Sequence, residues 1–330
     1  MFNVFLILFV FAELSFYLLI AQTGVVEVFH SDIFSIMYLP IGGIIGTYLN
    51  VYIPFKTDHK AIALLALQMF TTLFYPDFNA VTLFLLGLSV GGISPIIIQT
   101  LKKATLIDLG VALGLSYTFS TLLFNTNPMH REILGLFLSL AAMIGYLFLQ
   151  RKKITAEALC FNKFYSYPLY LMVIWVFLDS SLFETLSRDD MMAIWRGGFS
   201  TEIILFHLLG VVAAISIRVE YSLKALLISL LFVLSYLSYF MHEALLLSVV
   251  YPFVISYYNI VILQSLIKVK SLKNISLFMV FIGWMASGTG LMVALHGFIQ
   301  YVPILLLMVL FFDIVKQLNF TKGVISWLRE

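Results

Sequence analysis

Along most of this chain the apolar positions show neither the two-residue period of a strand nor the stripe of an amphipathic surface helix. They run on without a break until a short polar cluster ends them. A helix needs roughly 20 mostly apolar residues to cross a bilayer. On that ruler the runs predict helices at about 2–21, 32–53, 61–76, 78–99, 106–124 and 132–150. After the polar segment "RKKITAEALCFNKFYSY" (151–167), further runs predict about 168–186, 201–218, 224–243, 244–266, 275–297 and 300–320. The expected fold class is therefore all-α: a polytopic membrane protein of twelve transmembrane helices, six on each side of the basic loop. The first run has no Lys or Arg before it and outlasts a signal-peptide core, so it is read as a retained span that also serves as the targeting signal.

Composition agrees with the pattern. The chain is 62% hydrophobic and only 11% charged, with mean hydropathy +1.05; soluble domains carry about 25% charged residues. Placement of the charges tests the count of spans, because cytoplasmic loops of membrane proteins are enriched in Lys and Arg. With the N-terminus inside, sixteen of the nineteen Lys and Arg fall on the cytoplasmic side and only Arg131, Arg188 and Arg196 on the other. Both termini are then cytoplasmic. Short loops and small size point to a bacterial inner (plasma) membrane. No loop exceeds about 17 residues, which leaves no room for a soluble catalytic domain and argues against an enzyme. The single cysteine, Cys160, excludes an internal disulfide and a multi-cysteine metal site. Nothing points to nucleic-acid binding or to an organic cofactor, and the chain is expected to act as a monomer.

The halves of the chain resemble each other. "FAELSFY" (11–17) lies over "FLDSSLF" (177–183), matching Glu13 with Asp179 and Ser15 with Ser181. "IIIQTLKK" (96–103) lies over "VILQSLIK" (261–268), matching Gln99 with Gln264 and Lys103 with Lys268, and His130 falls on His296. Polar residues are scarce here, so their agreement on nearly one shift carries weight. The matched helices share an orientation, which defines a parallel repeat related by an axis along the membrane normal. The expected division is a six-helix bundle at 1–150, a cytoplasmic linker at 151–167 and a second bundle at 168–330.

Twelve spans, a basic central loop, internal termini and a parallel repeat together resemble the major facilitator superfamily, over essentially the whole chain. Local motifs depart from that family. Its Gly-x-x-x-Asp loop pattern is met by "GTYLN", with Gly46 but Asn50 in place of the Asp, and Gly87 stands where helix 4 often carries an Arg. The Gly-Pro pattern of antiporters is missing from "LGVALGLSYTF". The resemblance implies a compact secondary transporter in which helices 1 and 7 face each other across a central cavity and helices 4 and 10 act as gates.

That implication gives the polar groups roles. A carboxylate at bilayer depth costs a few kcal/mol, and desolvation favours its neutral form, so Glu13 and Asp179 are the candidates for proton coupling. His207, Tyr117, Trp175, Tyr257, Tyr258 and Asn259 are candidate substrate contacts, with Tyr236 and Trp284 as further aromatic surfaces. Gln99, Gln264 and Asp108 are candidate gate residues, Asp108 also as a cap for helix 5. Close helix packing is expected at Gly42-x-x-x-Gly46, Gly87-x-x-x-Gly91 and Gly110-x-x-x-Gly114, and kinks at Pro95, Pro252 and Pro303. Met-His pairs at His130 and His242, with His296, are weak candidates for metal ligation.

With no Lys or Arg expected at bilayer depth, a multiply anionic solute would lack a charge partner. The leading expectation is a proton-coupled carrier of a small cationic, zwitterionic or neutral solute by alternating access. The alternatives are a copper-like transition-metal transporter, a non-transporting assembly factor and a membrane-embedded transferase.

Overall fold

The computed structural model describes residues 3–29, 33–151, 167–189, 191–308 and 310–311. In chain order its helices are α1 (Val4–Phe29), α2 (Phe34–Tyr52), α3 (Thr57–Thr72), α4 (Ala80–Leu101), α5 (Leu106–Leu123), α6 (Glu132–Arg151), α7 (Leu169–Leu186), α8 (Ser200–Ser216), α9 (Tyr221–Phe240), α10 (Ala244–Ile267), α11 (Leu272–Leu295) and α12 (Phe298–Met308). Among the described residues nine of these are long and apolar enough to cross a membrane, while α3, α8 and α12 are shorter. The fold is all-α and membrane-type, with rods at each predicted position. Residues 152–166, including Cys160, lie outside the described residues, as do Asp313 and Lys316.

Local chemistry sets several ends. Asn79 opens α4 with a capping box, its side chain accepting from the Val81 and Thr82 amides. Thr105 and Asp108 form the equivalent box at α5. Pro95 and Pro252 lie inside α4 and α10. Pro303 falls in the first turn of the regular part of α12 rather than mid-helix, where a missing N–H costs little; the kink expected there is corrected to a helix start. Another correction concerns α1, which runs on to Phe29 rather than stopping near residue 21. It does so through a π-helical stretch, Tyr17–Gln22. Thr23, which reads as a break in the sequence, donates back to the Leu18 carbonyl at 2.7 Å and so stays within the rod. A second π-helical stretch, Val280–Ala286, interrupts α11.

Helix α2 packs on α4 along the predicted glycine seam. A Cβ on Gly42, Gly46, Gly87 or Gly91 would come within 2.0–2.2 Å of a carbonyl oxygen of the facing helix, so only glycine permits this approach. The closeness lets side chains bond across to backbone. Thr47 donates to the Gly91 carbonyl at 2.9 Å and Asn50 to the Gly92 carbonyl at 2.7 Å. Gly110 and Gly114 instead face α8, against Val211, Ile215 and Leu208.

Helix neighbours recur at a spacing of six. The pairs α1–α5, α2–α4 and α3–α4 have counterparts in α7–α11, α8–α10 and α9–α10. The most extensive contacts between the first six helices and the rest are α2 on α11 and α5 on α8, and each maps onto the other when six is added or subtracted; α4 also touches α10 and α11, and α5 touches α10. Large exposed side chains such as Phe34, Val81, Ile133, Met191 and Phe311 are apolar, as expected of a surface solvated by lipid.

Candidate functional site

Between the two sets of helices lies a cavity of about 280 Å³. Its walls come from α1, α4 and α5 and from α7, α10 and α11, with His207 of α8 and Trp195 of the α7–α8 connection added. Most of the lining is aliphatic or aromatic. The polar groups include Glu13, Ser94, Ser116, Tyr117, Asp179, Ser180, His207, Tyr258, Asn259, Trp284 and Ser287. No Lys or Arg is among the lining residues.

Glu13 and Asp179 both reach this cavity, but through different surroundings. Glu13 is only 3% exposed. Its Oε1 accepts from Gln68 Nε2 at 3.1 Å, and the same amide nitrogen donates to Ser139 Oγ at 3.3 Å. Glu13 is thus tied into the interior shared by α1, α3 and α6. Asp179 is less buried and is held by two phenols of α10. Tyr251 donates to its Oδ1 at 2.8 Å and Tyr258 to its Oδ2 at 2.6 Å. Tyr251 also donates to the Asp179 carbonyl at 2.8 Å.

Beside the acids lies a polar bridge between the two sets of helices. Asn259 donates to the Tyr117 hydroxyl at 2.9 Å. The Tyr117 ring lies parallel to His207 with centroids 4.4 Å apart, and His207 Nδ1 shares a 2.7 Å hydrogen bond with Ser256 Oγ. Trp284, within the π-helical stretch of α11, donates its indole N–H to Thr47 at 3.1 Å. Its ring fills the notch at Gly43, where a Cβ would sit 2.1 Å from the indole.

Of the substrate contacts expected from sequence, the structure places His207, Tyr117, Tyr258 and Asn259 on the cavity wall, but not Trp175 or Tyr257. At 100° per residue, the α7 positions facing the cavity are Val176, Asp179, Ser180 and Phe183. Trp175 is turned about a quarter circle away from them and packs edge-on against Tyr167. Tyr257 points to the far side of α10 from the cavity and stacks on Phe253. Both expectations are corrected.

The gate candidates also fall outside the cavity. Gln99 Oε1 and Gln264 Nε2 are buried without a partner, and no hydrogen bond between the two amides is found among the described residues. Asp108 serves as a cap and a tie, not as a gate contact. Its Oδ2 accepts from Thr105 and its Oδ1 from the Asn3 amide at 3.1 Å, fastening the start of α1 to that of α5. His130, His242 and His296 are exposed on three separate connections. Among the described residues no group of three or more His, Cys, Asp or Glu is placed to hold a metal.

Several residues escaped the sequence reading. Gln68 and Ser139 give no signal beyond being polar in apolar runs. Tyr251 had one, since it stands seven residues before Tyr258 and so shares its face. Arg131, which reads as a loop cation, is 1% exposed. Its guanidinium donates to the Leu19, Phe124 and Thr126 carbonyls and to Thr23 Oγ1, clamping α1, just past its π-helical stretch, to the end of α5. Close by, Glu27 of α1 pairs with Arg196 at 2.6 Å, and Trp195 packs between Phe124, Phe183 and Tyr251. At the opposite end of the bundle Lys102 donates to the Val269 carbonyl at 2.6 Å. Partial burial lowers the Lys102 pKa from its ordinary value.

The whole chain shares its fold with a bacterial homologue of the iron transporter ferroportin, whose crystal structure is in an outward-facing state. The match has a TM-score of 0.56 over 95% of this chain and 97% of that one, at 12% sequence identity. At that identity the likeness is one of fold. No protein-family model matches the sequence, and no curated protein matches it.

Proposed function

We propose that this chain is a secondary transporter of a small cationic, zwitterionic or neutral solute. The observation that carries the reading is the cavity between the two sets of helices, with both intramembrane acids on its wall and no Lys or Arg. A carrier needs a site that opens alternately at either end, and the two sets of helices are fastened near both ends by few contacts. Glu27–Arg196 and the Trp195 cluster close one end, and Lys102 on Val269 ties the other. The recurrence of neighbours at a spacing of six supports a division into two six-helix bundles that rock against each other.

Coupling to protons is assigned to the acids, chiefly Glu13. It is the more buried, and its Gln68 partner is an amide that can donate to a carboxylate or, turned over, accept from a carboxylic acid. Either protonation state therefore keeps a hydrogen bond, and proton binding can bias the same equilibrium as solute binding. The chain is taken to sit in the inner (plasma) membrane with both termini cytoplasmic, as a monomer and without enzymatic activity. The iron named for the structural neighbour is not carried over, because no group of three or more His, Cys, Asp or Glu is gathered among the described residues.

Proteoliposomes loaded with a pH-sensitive dye test the reading. Wild type should move protons when a suitable solute is supplied across a pH gradient, and Glu13→Gln, which keeps the contact with Gln68, should stop that movement. Identical behaviour of the two across candidate solutes would remove the basis for a proton-coupled carrier.

A further inference from the structure

The acids that align in the sequence are not equivalent in the fold, and the difference separates their tasks. Glu13 is buried and receives a neutral amide, Gln68, which also donates to the Ser139 hydroxyl. Asp179 is the more accessible and each of its oxygens receives a phenol O–H. Two such donors fix the direction of its oxygens, because each tyrosine is itself anchored in α10. The cavity wall supplies no Lys or Arg to neutralise a carboxylate, and an unpaired charge in a low-dielectric site is costly. The ion pair at the end of this helix uses Arg188, two residues past α7, on Glu184. A cation that enters the cavity therefore meets a directed, uncompensated carboxylate.

The remaining wall describes the rest of the ligand. Tyr258, Tyr117 and His207 put aromatic surfaces beside Asp179, and cations sit favourably over aromatic faces. Beyond them the lining is mainly aliphatic, with Ile255 and Ile262 from α10 and Val176 from α7. A bare metal ion favours several charged or imidazole ligands converging on one point, and among the described residues no group of three or more His, Cys, Asp or Glu is gathered. At about 280 Å³, the cavity lies at the lower edge of ordinary ligand pockets, which run from roughly 300 Å³ upward.

We propose that Asp179, presented by Tyr251 and Tyr258, is the anchor for the ammonium group of a small, largely apolar organic cation, while Glu13 is kept apart for the proton. The proposal rests on the carrier reading for its physiological meaning, but the site itself is a matter of binding. Phenethylamine, protonated at pH 7, is a probe of suitable size, with 3-phenylpropanoate as its anionic and 2-phenylethanol as its neutral counterpart. Titration calorimetry and thermal unfolding of the purified full chain should show binding of phenethylamine about tenfold or more tighter than either counterpart. Asp179→Asn should lose about tenfold or more of that affinity. Should Asp179→Asn fail to fold, Tyr258→Phe keeps the carboxylate, removes one donor and should weaken binding several-fold.

Equal binding of the anion, no binding of phenethylamine by wild type, or unchanged affinity in Asp179→Asn or Tyr258→Phe would each overturn the assignment. The two readings fail differently. Proton movement that depends on Glu13, with phenethylamine binding indifferent to Asp179, defeats the anchor and leaves the carrier. Binding that depends on Asp179, with no transport in proteoliposomes, defeats the carrier and leaves the anchor.

Discussion

Gly87→Ala should destabilise the protein although it adds one methyl group to a helix that ought to welcome it. In an unhindered helix, alanine is better than glycine by about 1 kcal/mol. At position 87 the new Cβ would stand 2.0 Å from the Leu39 carbonyl oxygen and 2.9 Å from the Gly43 nitrogen, both backbone atoms that no rotamer change can remove. Ordinary contact begins near 3.4 Å, so α2 and α4 must part by about 1.4 Å at this point. That movement stretches the Thr47 and Asn50 bonds to Gly91 and Gly92, now 2.9 and 2.7 Å, beyond useful length. Two lost hydrogen bonds cost about 1–3 kcal/mol together, and overpacking adds about 1–3 kcal/mol. After the helix-propensity gain the net loss is about 1–5 kcal/mol, seen as a fall of several degrees in melting temperature followed by tryptophan fluorescence in detergent. Gly288→Ala is the control, because nothing lies within 4 Å of the methyl it would add, and it should melt at or slightly above wild type. Gly87→Ala melting as high as wild type, or Gly288→Ala falling as far, would refute the packing argument.

Other expectations follow from single contacts. Arg131→Met should cost about 2–4 kcal/mol, because it strands several buried acceptors at once; Arg131→Lys should recover only part, since an ammonium cannot reproduce the planar fan of donors. Full rescue by lysine in the same melting assay would contradict the clamp. Trp284→Phe loses both the N–H to Thr47 and the benzo ring atoms that fill the Gly43 notch, so it should cost about 1–3 kcal/mol; a melting temperature equal to wild type would show that neither contact matters. Glu27→Gln breaks a pair whose arginine side chain is 41% exposed. It should change stability by less than about 1 kcal/mol, and the difference should vanish at 1 M salt, where screening reaches within about 3 Å.

The sequence alone determined where the chain enters lipid. Burying roughly 20 apolar residues is decided by composition along the chain, and a helix is found at each predicted run, although α1 extends to Phe29, α3 starts four residues early and the described part of α12 covers only the first half of its run. It also determined the glycine seam of α2 and α4, because few residues allow backbones so close, and it marked Glu13 and Asp179 by the cost of an acid in hydrocarbon. Tertiary structure decided which way each helix faces. In a soluble helix the polar side declares itself, whereas here the lipid-facing and core-facing sides are equally apolar and carry no such label. Hence Trp175 and Tyr257 were expected on the cavity wall and lie elsewhere, while Trp195 lines it unforeseen. For the same reason the repeat that aligned the two acids could not reveal that an amide receives one and two phenols the other. Those partners come from helices whose rotation is set by packing, and packing is where the matching halves of this chain part company.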